Sequence, residues 1–245
     1  MTHASTPCSL VDDIRRKFPP IDSLPFYAAL FADQFSIEAT MRAQLQDLSR
    51  SIGCRGLREI QIHKLDLAKE SMTITDSDWR LLRDTIEDEL PGPGRASHFD
   101  VRLQLFEGLQ FSREALETVI PLPQSVEGTR IFRKLFEDRS LLEITAAVGA
   151  IEQWYVPLAA QLEAHYLRMG YTQRQVATFA LHKEADVQHS ETALYFAAKY
   201  SQRADHAAIL EAVDAAFCSV RLYDAARFAA ATDNHRGLKD FLSHA

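Results

Sequence analysis

Apolar residues recur at three- and four-residue intervals along most of the chain, and no alternating run bounded by turn residues interrupts them, so the pattern predicts an all-α helical bundle. The predicted helices cover 25–50, 53–71, 76–90, 97–109, 112–120, 128–137, 140–169, 172–200 and 203–230. Their ends carry recognisable chemistry. Thr75-Asp76-Ser77-Asp78 supplies N-caps, and Pro91-Gly92-Pro93-Gly94 forces a turn. Gly170 suits a C-terminal stop, and Thr172 suits the N-cap of the next helix. Residues 1–21, with Pro7, Pro19 and Pro20, read as a flexible, loosely attached lead-in. Residues 22–232 read as a single helical domain, and 233–245 as a polar, poorly ordered tail.

Two of the apolar stripes are broken by polar residues. In 172–200 one face reads Phe179, His182, Asp186, His189, Ala193, Phe196 and Tyr200. At about 100° per residue the three polar side chains fall within roughly 60° of one another, so all three reach toward one point. In 140–169 the stripe Thr145, Val148, Gly149, Glu152, Val156 and Ala159 is apolar but for one carboxylate. A buried carboxylate must be protonated, paired with a cation or bound to metal, and an ion pair with an arginine from another helix is the simple alternative for Glu152. A third element surrounds the proline-glycine turn. Glu89 ends one helix on the Leu82, Thr85 and Ile86 side, and His98 opens the next, whose inner face is Val101, Leu105 and Leu109. Glu87, beside Arg80 and Arg83, is the competing carboxylate.

Composition narrows the chemistry. With 245 residues, 47% hydrophobic and 25% charged, the chain is long enough for one large core. A net charge of -7 argues against a nucleic-acid partner. The first residues lack the basic start and apolar run of a signal peptide, and no uncharged 18-mer follows, which predicts a soluble, cytoplasmic protein with no membrane partner. Cys8, Cys54 and Cys218 show no CxxC spacing and read as reduced thiols. There is no GxSxG, P-loop, GxGxxG or HExxH. Of the remaining histidines, His3, His165, His235 and His244 are expected to be solvated, and His63 and His206 lack carboxylate partners at ligand spacing. What is left is Glu89, His98, Glu152, His182, Asp186 and His189, a mixed oxygen and nitrogen set suited to iron or manganese. Six ligands invite two metals, with Glu152 as the bridging carboxylate.

The segments PFYAALFADQFS, DELPGPGRASHFDVRLQLFEGL, AAVGAIEQWYVPL and FALHKEADVQHSETAL occur in that order over about residues 24–230. In this the chain resembles the heme-oxygenase-like di-iron oxidases, a branch of the fold shared by heme oxygenase, the thiaminase II (TenA) proteins and the pyrroloquinoline quinone synthase PqqC. The resemblance implies that fold. It also places the family's ligands on Glu89, His98, Glu152, His182, Asp186 and His189. It implies two ferrous ions per chain, or manganese in their place, with oxygen and a small molecule as partners and a homodimer as an assembly compatible with the fold. Reactions in the family include N-oxygenation, desaturation and oxidative C–C cleavage, often of amino or fatty acids. One branch makes p-aminobenzoate by consuming its own tyrosine and lysine. The present chain departs from that branch, having no lysine between Lys134 and Lys183.

Val148, Phe179, Ala193 and Phe196 would keep water from the site. Trp154, Tyr155 and Tyr195 either pack or line a pocket. Arg221 and Arg227 read as surface salt-bridge residues, with a clamp on a substrate carboxylate as the other role. Two further readings stay open: a metal-free TenA- or PqqC-like enzyme, and a non-catalytic helical interaction protein.

Overall fold

The computed structural model describes residues 9–92, 94 and 96–243. Eleven α-helices occur among them: α1 (Leu10–Arg15), α2 (Pro25–Phe31), α3 (Ile37–Gly53), α4 (Leu57–Ser71), α5 (Asp76–Asp88), α6 (His98–Leu103), α7 (Arg113–Leu116), α8 (Pro123–Asp138), α9 (Leu141–Arg168), α10 (Ala177–Tyr200) and α11 (His206–Thr232). Helix makes up about 76% of the structure and there are no strands among the described residues; Val119 and Leu242 form an isolated bridge. The fold is all-α.

Side-chain caps start these helices where short polar residues stand. The Thr75 hydroxyl accepts the Asp78 N–H at 3.2 Å to begin α5. Ser97 with Asp100 and Ser140 with Glu143 close capping boxes on α6 and α9. Gly170, at φ 97°, stops α9, and the N–H groups of Gly170 and Tyr171 satisfy the carbonyls of Leu167 and Tyr166. Several predicted helices are shorter than their patterns: 53–71 begins at Leu57, 97–109 and 112–120 shrink to His98–Leu103 and Arg113–Leu116, and two others change at identifiable residues. The run 25–50 splits because Asp33 adopts φ 55° and Ser36 caps a fresh start by accepting the Ala39 N–H. The run 172–200 begins with a turn closed between Thr172 and Gln175, and α10 proper starts at Ala177.

The ends of the described chain differ from the sequence reading. The lead-in is packed, since Leu10 and Ile14, one turn apart on α1, are 5% and 0% exposed, and Trp154 donates to the Pro19 carbonyl at 2.9 Å. Pro7 lies outside the described residues. After Asp233, Phe241 is fully buried, and the Ser243 N–H donates to the Thr118 carbonyl at 3.1 Å. In both places a few apolar side chains outweigh the polar look of the segment.

α11 packs on α2, α3, α8 and α9, while α9 and α10 form the most extensive helix pair. The approach of α9 to α10 is close because Gly149 lies opposite Ala193: a Cβ added at Gly149 would stand 2.7 Å from the Ala193 Cβ. Glu152 follows Gly149 by less than a turn, and His189 precedes Ala193 by one turn, so this contact sets the spacing between the two polar stripes. Among the described residues no helix is long and apolar enough to cross a membrane.

Candidate metal centre

The two polar stripes meet the α5–α6 turn and the start of α4. Glu89 caps the end of α5 and reaches inward, its Oε2 3.0 Å from His98 Nδ1 and its Oε1 3.4 Å from His189 Nδ1. Neither approach has hydrogen-bond alignment, and both ring nitrogens are buried without a hydrogen-bond partner among the described residues. Oxygens of Glu89 and Glu152 and a nitrogen of His189 lie within 4.8 Å of one another. His182 Nδ1 stands 3.1 Å from Asp186 Oδ1, and the His182 ring lies edge-on to His98, with centroids 5.0 Å apart, and to Tyr155 at 5.5 Å. All six residues singled out in the sequence are therefore brought together. Five of them line a cavity of about 680 Å³, and His189 joins the group through Glu89. Glu87 faces away, pairing with Arg83 at 2.6 Å with its side chain 44% exposed.

Arg58 is the member that sequence reasoning missed. Gly56, at φ 83°, starts α4 and turns Arg58 into the cluster, where its Nη2 lies 2.8 Å from Glu152 and 3.7 Å from Glu89. The arginine partner considered for Glu152 is therefore real. Nothing in the local pattern marks it, because an arginine in the first turn of a helix is ordinarily solvated. Asp88 was also unforeseen, and its Oδ2 lies 3.3 Å from His189 Nε2.

Electrostatics show how tightly these groups are linked. Burial pushes the Glu152 carboxyl up; Arg58 opposes this, and the charges of Asp186 and Glu89 add to it. Burial would also raise Glu89, but Arg58, His189 and His98 outweigh it and hold that carboxyl well below the usual range. Burial disfavours the His189 imidazolium, yet Glu89, Glu152 and Asp186 together raise its pKa. Three carboxyl groups, Glu89, Glu152 and Asp186, act on the one guanidinium of Arg58, and the upward push on Glu152 and on His189 shows that protons make up part of the balance. Carboxyl groups crowded this closely, with the Nδ1 atoms of His98 and His189 turned toward Glu89 without a hydrogen bond, fit a divalent metal such as iron or manganese.

Several other expectations change. His165 is 2% exposed rather than solvated, its Nδ1 2.9 Å from Arg168 Nη2, because α9 turns that face toward Phe31 and the α2 end of the core. Burial lowers its pKa. Arg227 is buried and lines the cavity, whereas Arg221 is exposed. Trp154 and Tyr155 line the cavity, and Tyr195 is exposed beside Lys199. Val148 forms part of the wall, while Phe179, Ala193 and Phe196 are buried and do not line the cavity. His63 and His235 are exposed, and Cys54 and Cys218 are free thiols. His3, His244 and Cys8 lie outside the described residues.

Residues 73–224, well over half of the chain, match a protein family described as iron-containing redox enzymes. The chain belongs to this family. The match runs from the start of α5 to near the end of α11 and so includes all six candidate ligands. An iron-containing oxidoreductase agrees with a buried site rich in carboxylate and imidazole. No curated protein matches significantly. Among solved structures, two crystal structures of a CADD-like protein of unknown function from Nostoc punctiforme are similar. One, at 2.00 Å resolution, has a TM-score of 0.71 and 17% identity over 90% of this chain and 96% of that one. The other, at 1.35 Å, has a TM-score of 0.69 and 18% identity over 93% and 96%. Likeness at this identity is a likeness of fold, which is heme-oxygenase-like.

Proposed function

We propose that this family member is a non-heme di-iron oxygenase or oxidase that uses oxygen to oxidise a small, carboxylate-bearing metabolite. One observation carries the reading: four helical segments deliver Glu89, His98, Glu152, His182, Asp186 and His189 to one place, where oxygens of Glu89 and Glu152 and a nitrogen of His189 lie within 4.8 Å of one another. These six residues would hold two ferrous ions. Bound iron supplies the electrons and the binding position for oxygen chemistry that no side chain of this site provides.

The chain's own residues do the rest. Arg58, with His189 and His98, keeps Glu89 ionised against the effect of burial, so it is ready to act as an oxygen ligand at neutral pH. Arg58 neutralises part of the charge on Glu152 and Glu89 and holds both side chains inward. Tyr155, its hydroxyl held protonated to about pH 12 by burial, packs edge-on against His182 and fixes the ring. Val148 and Ile151 cover the wall from which Glu152 projects and keep bulk water away from it.

Anaerobic titration with ferrous iron tests the proposal, with about two irons per chain expected. His189→Ala and Glu152→Ala should each lower that number, and oxygen consumption should depend on the bound iron. A chain that takes up no iron anaerobically would overturn the assignment. The Arg58–Glu152 pair favours a second reading, in which the guanidinium alone balances the site and the enzyme works without metal. That reading predicts zero iron bound and activity that survives chelation.

A further inference from the structure

Of the helices that carry candidate ligands, α6 is the shortest. It has six residues, and a helix that short does not hold its shape or place in water without tertiary contacts. His98 stands in its first turn. The Nδ1 atom of that ring makes no aligned hydrogen bond among the described residues, so the ring's place depends on where α6 sets its backbone. The outer tie of α6 is weak: Arg113 meets Asp100 at 2.8 Å, but the arginine side chain is 56% exposed, and a pair so open to water contributes little.

The inner tie is of another kind. Arg102, one turn after His98 and on the same face, is the one buried residue of α6. Its Nη1 bonds Asp47 Oδ2 on α3. Asp47 is 6% exposed and is gripped from two other directions: Arg50 Nε lies 3.1 Å from its Oδ1, and Arg227 Nη2, from α11, lies 3.5 Å from the same oxygen. Arg227 in turn donates to the Tyr27 hydroxyl on α2. The carboxylate is thus oriented by α3 and α11, which pack on each other, and its second oxygen is given to α6. Asp47, Arg102 and His98 all line the cavity of about 680 Å³. One side of Arg102 therefore borders open space, and close packing alone does not stop it, or the helix it belongs to, from shifting.

We propose that Asp47 is a positioning residue: through Arg102 it holds α6, and with it the His98 ring, against Glu89 and His182. In that place His98 Nδ1 lies 3.0 Å from Glu89 Oε2, and the His98 and His182 ring centroids are 5.0 Å apart. A slide of α6 by about 1 Å would exceed the roughly 0.2 Å within which metal–ligand distances stay favourable. That His98 ligates metal rests on the di-iron reading, whereas the hold of Asp47 on α6 does not. The ordinary role of a buried ion pair is in the stability of the whole fold. The two roles differ in what they affect: positioning acts on α6 and on metal binding through His98, and general stability acts everywhere.

Hydrogen–deuterium exchange of the metal-free full chain, read peptide by peptide, separates them. Asp47→Asn and Arg102→Gln should each raise amide exchange across 98–103 by about tenfold or more, with peptides from the middle of α9 and α10 within about twofold of native. Arg102→Lys, which keeps a cation opposite Asp47, should recover part of the protection. In manganese titrations Asp47→Asn and Arg102→Gln should each weaken binding by about tenfold or more. In a His98→Ala background neither should weaken it further, because the effect passes through that ring. Arg102→Gln also frees no guanidinium to compete for Asp186, whose charge acts on Arg102 in the native chain. Exchange that rises evenly over the whole chain, or stays native in α6, would overturn the proposal. So would a loss of manganese affinity as large in the His98→Ala background as in the native one. Should Asp47→Asn fail to fold, Arg102→Gln and Arg102→Lys still decide. A native chain that binds neither manganese nor ferrous iron, with α6 loosened in the variants, would sink the metal reading alone. Metal binding with α6 exchange unchanged in the variants would sink the positioning role alone.

Discussion

Gly149→Ala tests whether the contact between α9 and α10 sets the geometry of the metal centre. The added methyl would stand 2.7 Å from the Ala193 Cβ and 3.4 Å from Leu194 Cγ. Carbon atoms rest at about 3.5–4.0 Å, so the helices must part by about 1 Å, and neither group is the end of a flexible side chain. Overpacking of this kind costs about 1–3 kcal/mol, while exchanging glycine for alanine in a helix returns about 0.8–1 kcal/mol. The net loss is about 1 kcal/mol, or about 2–4 °C in melting temperature for a chain of this size. The effect on the site is larger in proportion. Glu152 lies just along α9 from the contact and His189 one turn before it on α10, and a displacement of about 1 Å exceeds the roughly 0.2 Å tolerance of metal–ligand distances. Thermal melts followed by circular dichroism, paired with anaerobic iron titration, should show a small loss of stability and a marked loss of iron affinity. The double variant Gly149→Ala/Ala193→Gly removes the clash and should recover most of the affinity. A Gly149→Ala protein that melts at or above the native temperature and takes up iron normally would refute the reasoning.

Two further predictions concern charge. Arg58→Met removes the guanidinium from Glu152 and Glu89 and should destabilise the metal-free chain by about 3 kcal/mol, since it strands buried carboxylates. Manganese or anaerobic ferrous iron should raise the melting temperature of this variant more than that of the native chain; an equal rise in both would show that metal and Arg58 do not share the same carboxylates. Away from the site, Asp78 receives hydrogen bonds from Lys199 at 2.7 Å, Thr75 at 2.6 Å and Tyr200 at 2.6 Å, and Lys199, the strongest influence, with the two hydroxyls lowers its pKa to about 2. Because the folded-state pKa lies below the ordinary 3.8, the stabilisation is complete above about pH 4 and is lost as pH falls through about 2. Asp78→Asn should cost about 1 kcal/mol in denaturant melts at pH 7, with the gap closing across that acid window; a gap that stays constant down to pH 2 would contradict it.

The sequence alone determined which residues are chemically out of place. Helical periodicity needs only local spacing, so Glu152 in an apolar stripe and the His182, Asp186 and His189 trio were visible without any knowledge of neighbours. Glu89 and His98 were legible because the turn between them is written in proline and glycine. Tertiary structure alone decided what compensates these groups. Arg58 pairs with a carboxylate 94 residues away, and nothing in its own turn of helix distinguishes it from a solvated arginine. Asp47, Arg102 and Arg227 come from three helices, and His165 was assigned to solvent because the face opposite Glu152 has its own burial partner. The same limit misplaced the chain ends, where Ile14 and Phe241 bury themselves against helices distant in sequence. Periodicity reports which face of an element is unusual, but charge balance depends on distances through space, and those exist only once the helices have packed.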